Sequence, residues 1–283
     1  MQRNVGTHEI NISGVSWISR VLSNDYVNIA RPDHWFKNVF VMPGIVFAWM
    51  AGPPPNKGIA FGSIVTALVA VCLICSSNYT INEFLDAPED RKHPVKRLRP
   101  AASGRIKAQF AYLQWFLLGL AGLILSWCIS FEFFVANATL LVMGLVYNVK
   151  PLRSKDVPYL DVLSESVNNP LRFLLGWYAF GAILWPPVSL LCAYWMLGAF
   201  FMAVKRFAEI RHINDARVLS SYRKSFAHYT PERLLVCILV YASAFAFFSG
   251  VFIIRYKLEL VLAIPVYSLF MGAYLRIAFR DNS

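Results

Sequence analysis

The sequence predicts an all-α, polytopic membrane helix bundle, and three observations carry that prediction. Of 283 residues, 57% are hydrophobic and only 15% charged, with a mean hydropathy of +0.50, too apolar for a water-soluble domain of this size. The apolar residues gather into eight long runs separated by polar turns. The charge is also asymmetric. With the N-terminus inside, 23 of the 27 Lys and Arg residues fall on inner segments, and only Lys57, Arg255 and Lys257 fall on outer turns. That is the positive-inside pattern, which accounts for the net charge of +11 without nucleic acid as a partner. The partner it implies is membrane lipid.

Each run is justified in turn. Residues 1–33 are polar and lack an apolar core of signal-peptide length, so they are expected to be a cytoplasmic or interfacial segment with no cleaved leader. Within them Ile12 to Ile29 is weakly amphipathic and suits the interface. Residues 34–283 are expected to form a single transmembrane domain. The first span runs from about Trp35 to Met50 and stops at Pro53, Pro54 and Pro55, which cannot continue a helix. The second, about Gly58 to Tyr79, leads directly into an acidic stretch. The third, about Ala108 to Ile129, and the fourth, about Glu132 to Tyr147, are joined by a short turn. The fifth, about Tyr159 to Leu184, ends at Pro186 and Pro187, and the sixth runs from about Ser189 to Val204. Leu234 to Ile254 and Leu258 to Ile277 complete the set. Cys72, Cys75, Cys128, Cys192 and Cys237 all lie in or beside apolar runs with no zinc or haem spacing, so no metal is expected on them.

One polar stretch organises the chain. Asn78 to Gly104 reads NYTINEFLDAPEDRKHPVKRLRPAASG and sets Asn82, Glu83, Asp86, Glu89 and Asp90 beside Arg91, Lys92, Lys96, Arg97 and Arg99. On a helix, Asn82, Asp86 and Asp90 recur every four residues on one face, so their oxygens can converge on a hard cation carrying a phosphate. The basic half can then hold the remaining phosphate oxygens. The plainer alternative is a solvated loop whose opposite charges pair with one another. The fifth run carries a second polar stripe: Asp161, Glu165, Asn168, Asn169 and Arg172 share one helical face, flanked by Ser164. A Glu165–Arg172 ion pair gluing helices is one reading. The preferred one is the polar wall of a substrate cavity open to the cytoplasm, because polar groups in hydrocarbon cost a few kcal/mol unless they face a cavity or one another. After the sixth run, Lys205 and Glu209 stand four apart, with Arg206 and His212 nearby. His212 and His228 have no partner at a convincing spacing and receive no role.

These residues carry a resemblance. N-x-x-x-D-x-x-x-D after the second span, followed by HPVKRLRPAASG, resembles the UbiA superfamily of intramembrane transferases, which move groups between isoprenoid lipids and a second substrate using magnesium. RPDHWFKNVFV, YNVKPLRSKDVPYLDVLSES and AVKRFAEIR are similar to its polyprenyl-phosphate (decaprenyl-phosphate) 5-phosphoribosyltransferase branch. The likeness covers Arg31 to about Leu235. Three departures stand out: Glu83 where the superfamily usually has Asp, eight runs where nine spans are expected, and KRFAE where prenyl-transferring members carry an aspartate pair.

The resemblance implies a bundle of eight to nine helices around a cytoplasm-facing cavity in a bacterial-type inner (plasma) membrane. It also implies Mg2+-dependent transfer of 5-phosphoribosyl from phosphoribosyl diphosphate to a polyprenyl phosphate, releasing diphosphate. Asn82, Glu83, Asp86 and Asp90 would hold the metal, with Asp86, Asp90 and Lys37 taken as catalytic. Lys96, Arg97 and Arg99 would clamp donor phosphates, and Lys37, Lys150, Arg172 and Lys205 would hold the lipid phosphate. Tyr147, Glu165, Asn168 and Glu209 complete the substrate-binding set. A homo-oligomer is compatible with this reading. The competing classes are a prenyltransferase of the same fold, acting on an aromatic or lipid acceptor, and a lipid transporter. The latter would more often show related halves, and no internal repeat is found.

Overall fold

The computed structural model describes residues 24–52, 57–93, 95–182, 184–213 and 223–280. Among the described residues there is no β-strand, as expected. The interfacial stretch is described from residue 24 on, where Asp25–Ala30 form α1, capped by Asn24, whose side chain accepts from the Tyr26 N–H. The rest of the expected N-terminal segment and the Pro53–Pro55 stop lie outside the described residues.

Among the described residues, six helical stretches are long and apolar enough to cross a membrane. They lie in α3 (Lys57–Asp90), α4 (Ala108–Trp127), α5 (Phe131–Asn148), α8 (Val188–His212), α9 (Pro231–Tyr256) and α10 (Ala263–Ala278), the last extended by a 3-10 turn, Leu258–Leu262. The remaining two expected spans are broken. The first is a 3-10 segment, Pro32–Val41, joined to α2 (Met42–Ala51). Pro43 at the joint offers no N–H to the Val39 carbonyl, which instead accepts the Met42 N–H in a tighter turn. The fifth divides at Val167 into α6 (Leu160–Ser166) and α7 (Asn168–Ala179), because Pro170 has no N–H for the Ser166 carbonyl. It ends at Ala179 and not at Leu184. Among the described residues, six continuous helices and two interrupted segments thus stand where eight continuous spans were expected.

Two large apolar cores are found among the described residues. One joins α2, α3, α5 and α7 around Val71, Ile74, Phe133, Leu140 and Phe173. The other joins α8, α9 and α10 with α6 around Val162, Phe200, Phe207, Leu234 and Met271. At the crossing of α2 and α7 no side chain intervenes. A Cβ on Gly44 would sit 2.0 Å from the Phe173 carbonyl oxygen, and one on Gly176 would sit 2.0 Å from that of Val41, so the two backbones meet through glycine. Outward-facing Phe36, Trp49, Phe247, Ile254 and Leu269 are more than half exposed, an apolar belt that only a lipid environment makes favourable.

Length decides where the polar groups go. At 1.5 Å per residue, the 34 residues of α3 span about 51 Å, well beyond the ~30 Å of a hydrocarbon core. Its last turns therefore carry Asn82 to Asp90 out of the apolar layer while still in helical register. The segment after α3 is pinned by a third cluster, Ile29, Ala87, Ala101, Ile106 and Ala111. Arg91 donating to the Ala102 carbonyl and the Arg105–Asp25 ion pair, each at 2.9 Å, add to it.

Candidate active site

The polar end of α3 meets the turn after α5. Asn82 and Asp86 lie one helical turn apart, and both direct an oxygen at Lys155, on the 3-10 turn Ser154–Asp156. The ammonium donates to Asn82 Oδ1 at 3.4 Å, to Asn148 Oδ1 at 2.8 Å and to Asp86 Oδ1. Arg153 adds contacts of 3.3 Å to Asp86, 3.3 Å to Glu89 and 3.1 Å to Asp156. Burial pulls the Lys155 amine below the usual lysine range, against Asp86, which favours its proton.

The four expected metal ligands are not together. Glu83 is one residue and 100° further round the helix than Asn82; it is buried and paired with Arg31 at 2.9 Å. Asp90 is paired with Arg99 at 2.7 Å. Among the described residues, no three His, Cys, Asp or Glu side chains come close enough to hold a metal ion. Asn82, Asp86 and Asn148 nonetheless aim three oxygens at one positive charge. A hard oxygen set with a single carboxylate suits Mg2+, which is commonly held by one or two carboxylates plus substrate phosphates and water. The donors present therefore fit such an ion, with the Lys155 ammonium standing where it would sit.

A second cluster lies at the α6–α8 contact. Buried Arg206 donates from Nε to Asp161 at 3.3 Å and from NH2 to Glu165 at 2.8 Å, and faces Glu209 at 3.6 Å. Asp161, fully buried, also accepts from the Tyr229 hydroxyl and from Ser225 at 3.4 Å. Glu165 accepts from Tyr147 at 2.8 Å, and Arg223 donates to the same tyrosine oxygen. The structure thus brings Tyr147, Glu165 and Glu209 together, around an arginine that had no assigned role. Arg206 is adjacent to the chosen Lys205, which is exposed; a 100° step separates a buried hub from a surface charge.

The Glu165–Arg172 ion pair is not formed. Seven residues place Arg172 about 10 Å further along the axis, where it donates to Asn38 Oδ1 at 3.4 Å and to Cys75 Sγ at 3.6 Å. Among the described residues it has no carboxylate at ion-pair distance. Lys37, beside His34 at 3.4 Å, lies within electrostatic reach of Lys205 and Arg172, so three of the expected lipid-phosphate residues share one neighbourhood. Lys150 is exposed, just beyond the end of α5. Asn168 Oδ1 is buried with no protein partner among the described residues. Lys96 is half-buried within reach of Asp90 and Glu209, and Arg97 is exposed. Burial lowers the Lys96 pKa, opposed by Glu209 and Asp90.

An apolar cavity of about 550 Å³ is lined by Phe47, Phe173, Tyr194, Leu197, Phe200 and Ile238 among others. The Tyr194 hydroxyl, in its wall, is within electrostatic reach of Arg172. Lys155, Arg153, Asn148, Arg206 and Arg223 were the functional candidates that sequence reasoning left unassigned. The signal available for the first two was their place in YNVKPLRSKDVPYLD.

Fold and site together define a helical membrane protein with two polar clusters and an apolar chamber. The chain belongs to the UbiA prenyltransferase family, whose pattern matches residues 39–283. It is 30% identical over 214 residues to the decaprenyl-phosphate phosphoribosyltransferase of Mycolicibacterium smegmatis, a match covering 75% of this chain and 65% of that protein. Against the protein of the same name from Corynebacterium glutamicum it is 31% identical over 220 residues, covering 75% of this chain and 62% of the relative. The chain thus spans just under two thirds of the length of these relatives. Its fold is that of a UbiA homolog from Archaeoglobus fulgidus bound to GPP and Mg2+, with a TM-score of 0.73, 22% identity, and coverage of 90% of this chain and 87% of the other.

Proposed function

We infer that this chain transfers a 5-phosphoribosyl group from phosphoribosyl diphosphate to a polyprenyl phosphate, releasing diphosphate, with Mg2+ as cofactor. The observation that carries the reading is the unequal pair of polar clusters. One directs oxygens at a single cation position, whereas the other has its carboxylates closed on Arg206, which leaves room for one metal–diphosphate clamp and not two. The naming of the mycobacterial and corynebacterial relatives agrees with it.

Asn82 and Asp86 would hold the ion, with Asp90 acting through Arg99 and Glu83 through Arg31. When bound, the ion supplies neutralisation of charge on the departing diphosphate. Lys96, Arg97 and Arg99 would take further donor phosphate oxygens. Lys37, Lys205 and Arg172 would hold the lipid phosphate, and its isoprenoid chain would enter the apolar cavity, whose wall residue Tyr194 is within electrostatic reach of Arg172. The attacking atom is an oxygen of that phosphate, already an anion. It bonds to carbon 1 of the ribose as the bond to diphosphate breaks, and no general base is required. Positioning and electrostatics carry the rate. The Lys- and Arg-rich ends of the spans are read as cytoplasmic, which gives a water-soluble donor direct access, and the membrane as a bacterial plasma membrane.

Transfer of a prenyl group from a prenyl diphosphate to an aromatic or lipid acceptor is favoured by the apolar cavity and by GPP in the A. fulgidus structure. Product analysis separates the two. Purified protein given polyprenyl phosphate, Mg2+ and phosphoribosyl diphosphate is expected to form a lipid-linked ribose 5-phosphate. With a prenyl diphosphate and a hydroxybenzoate it is expected to form nothing. Prenylated product alone would move the chain to the other reaction, and no product in either mixture would return the transporter reading.

A further inference from the structure

Lys155 is a buried cation with an unusual set of partners. Its ammonium is shared by Asn82 Oδ1, Asp86 Oδ1 and Asn148 Oδ1, and only 5% of the residue is exposed. Asp86 is its one carboxylate at ion-pair distance among the described residues. Arg153, the other cation on Asp86, also faces Glu89 and Asp156 and keeps counter-ions of its own if Asp86 turns elsewhere. Lys155 is therefore the specific counter-ion of Asp86, held at the point where the oxygens of Asn82 and Asp86 meet.

A divalent ion taken up by those oxygens cannot coexist with an ammonium in the same place. Bare metal must displace Lys155 into a buried neighbourhood already containing Arg153, where like charges repel. Metal arriving with diphosphate brings the negative charge that the released ammonium needs. We propose that Lys155 is a resident counter-ion that keeps the metal position closed to free divalent ions and yields it to a metal–diphosphate pair. Metal and diphosphate then bind with positive linkage, each tightening the other by the same factor. The proposal rests on the reading of Asn82 and Asp86 as metal ligands and adds to it an order of loading set by one lysine.

The test uses the full chain in detergent and Mn2+ as the probe, with free Mn2+ measured by electron paramagnetic resonance, with and without inorganic diphosphate. Wild-type protein is expected to bind Mn2+ at least tenfold more tightly when diphosphate is present. Lys155→Met is expected to bind Mn2+ alone at least tenfold more tightly than wild type and to lose most of the linkage. Lys155→Arg, which keeps the charge, should behave as wild type. Lys155→Gln, with a polar head of similar reach, carries the test where the Met variant does not yield folded protein. Unchanged Mn2+ affinity in both neutral variants overturns the proposal and leaves Lys155 a structural ion pair. Asp86→Asn separates this from the parent reading. If it abolishes Mn2+ binding while the lysine variants have no effect, only the proposal fails. If it leaves Mn2+ binding intact, or if wild type binds none even with diphosphate, the metal reading itself fails.

Discussion

Two arginines on neighbouring elements illustrate how differently a buried cation can be used. Arg206 is enclosed by Asp161, Glu165 and Glu209. Replacing it with Leu leaves fully buried Asp161 with only the more distant Arg223, at 3.9 Å, as counter-ion, a loss of up to about 3–5 kcal/mol. Arg172 rests on an amide oxygen and a thiol, so replacing it with Leu strands no charge. The expected result for Arg206→Leu is a large fall in melting temperature in detergent. For Arg172→Leu it is a melting temperature near wild type with a lipid-acceptor KM raised tenfold or more; the reverse pattern would exchange their roles. Residue types were legible in the sequence more readily than partners. Asn82 and Asp86 were found because four-residue spacing survives on any helix. Lys155 is not legible in the same way, because nothing in a loop's local pattern announces that it folds back 69 positions. Glu83 and Asp90 were counted with the other two because spacing along the chain does not disclose that Arg31 and Arg99 claim them.

At the scale of elements, α2 and α7 cross through Gly44 and Gly176, with no space for a methyl group. Gly176→Ala is expected to lower stability by about 1–3 kcal/mol through overpacking, read as earlier thermal unfolding. Gly272→Ala in α10, where a Cβ meets nothing within 4 Å, is the control; it is expected to leave stability unchanged or slightly raised, as helix propensity dictates. Equal effects would mean that the crossing is looser than described. The six continuous spans were legible from hydropathy and length alone. The breaks were not, although Pro43 and Pro170 were in view. A proline in an apolar run marks where a helix can fail, and only the neighbours that take up its orphaned carbonyl decide whether it does.

For the whole molecule, the proposed orientation rests on the distribution of Lys and Arg. In a cysteine-free background, single cysteines at Arg97 and Lys150 are expected to react with an impermeant maleimide only after the inner face is opened, and one at Lys257 from the outer face of intact cells. Labelling of Arg97 and Lys257 from the same side would break the assignment. That α3 outruns the apolar layer by several turns has one more consequence. It places the proposed reaction at a boundary between phases, where one reactant arrives through three-dimensional solution and the other by lateral diffusion in a plane. Velocity should then follow the mole fraction of acceptor in the bilayer and not its concentration in the tube. Spreading a fixed amount of polyprenyl phosphate through tenfold more inert lipid is expected to slow turnover below acceptor saturation, although nothing in the bulk composition of acceptor or donor has changed.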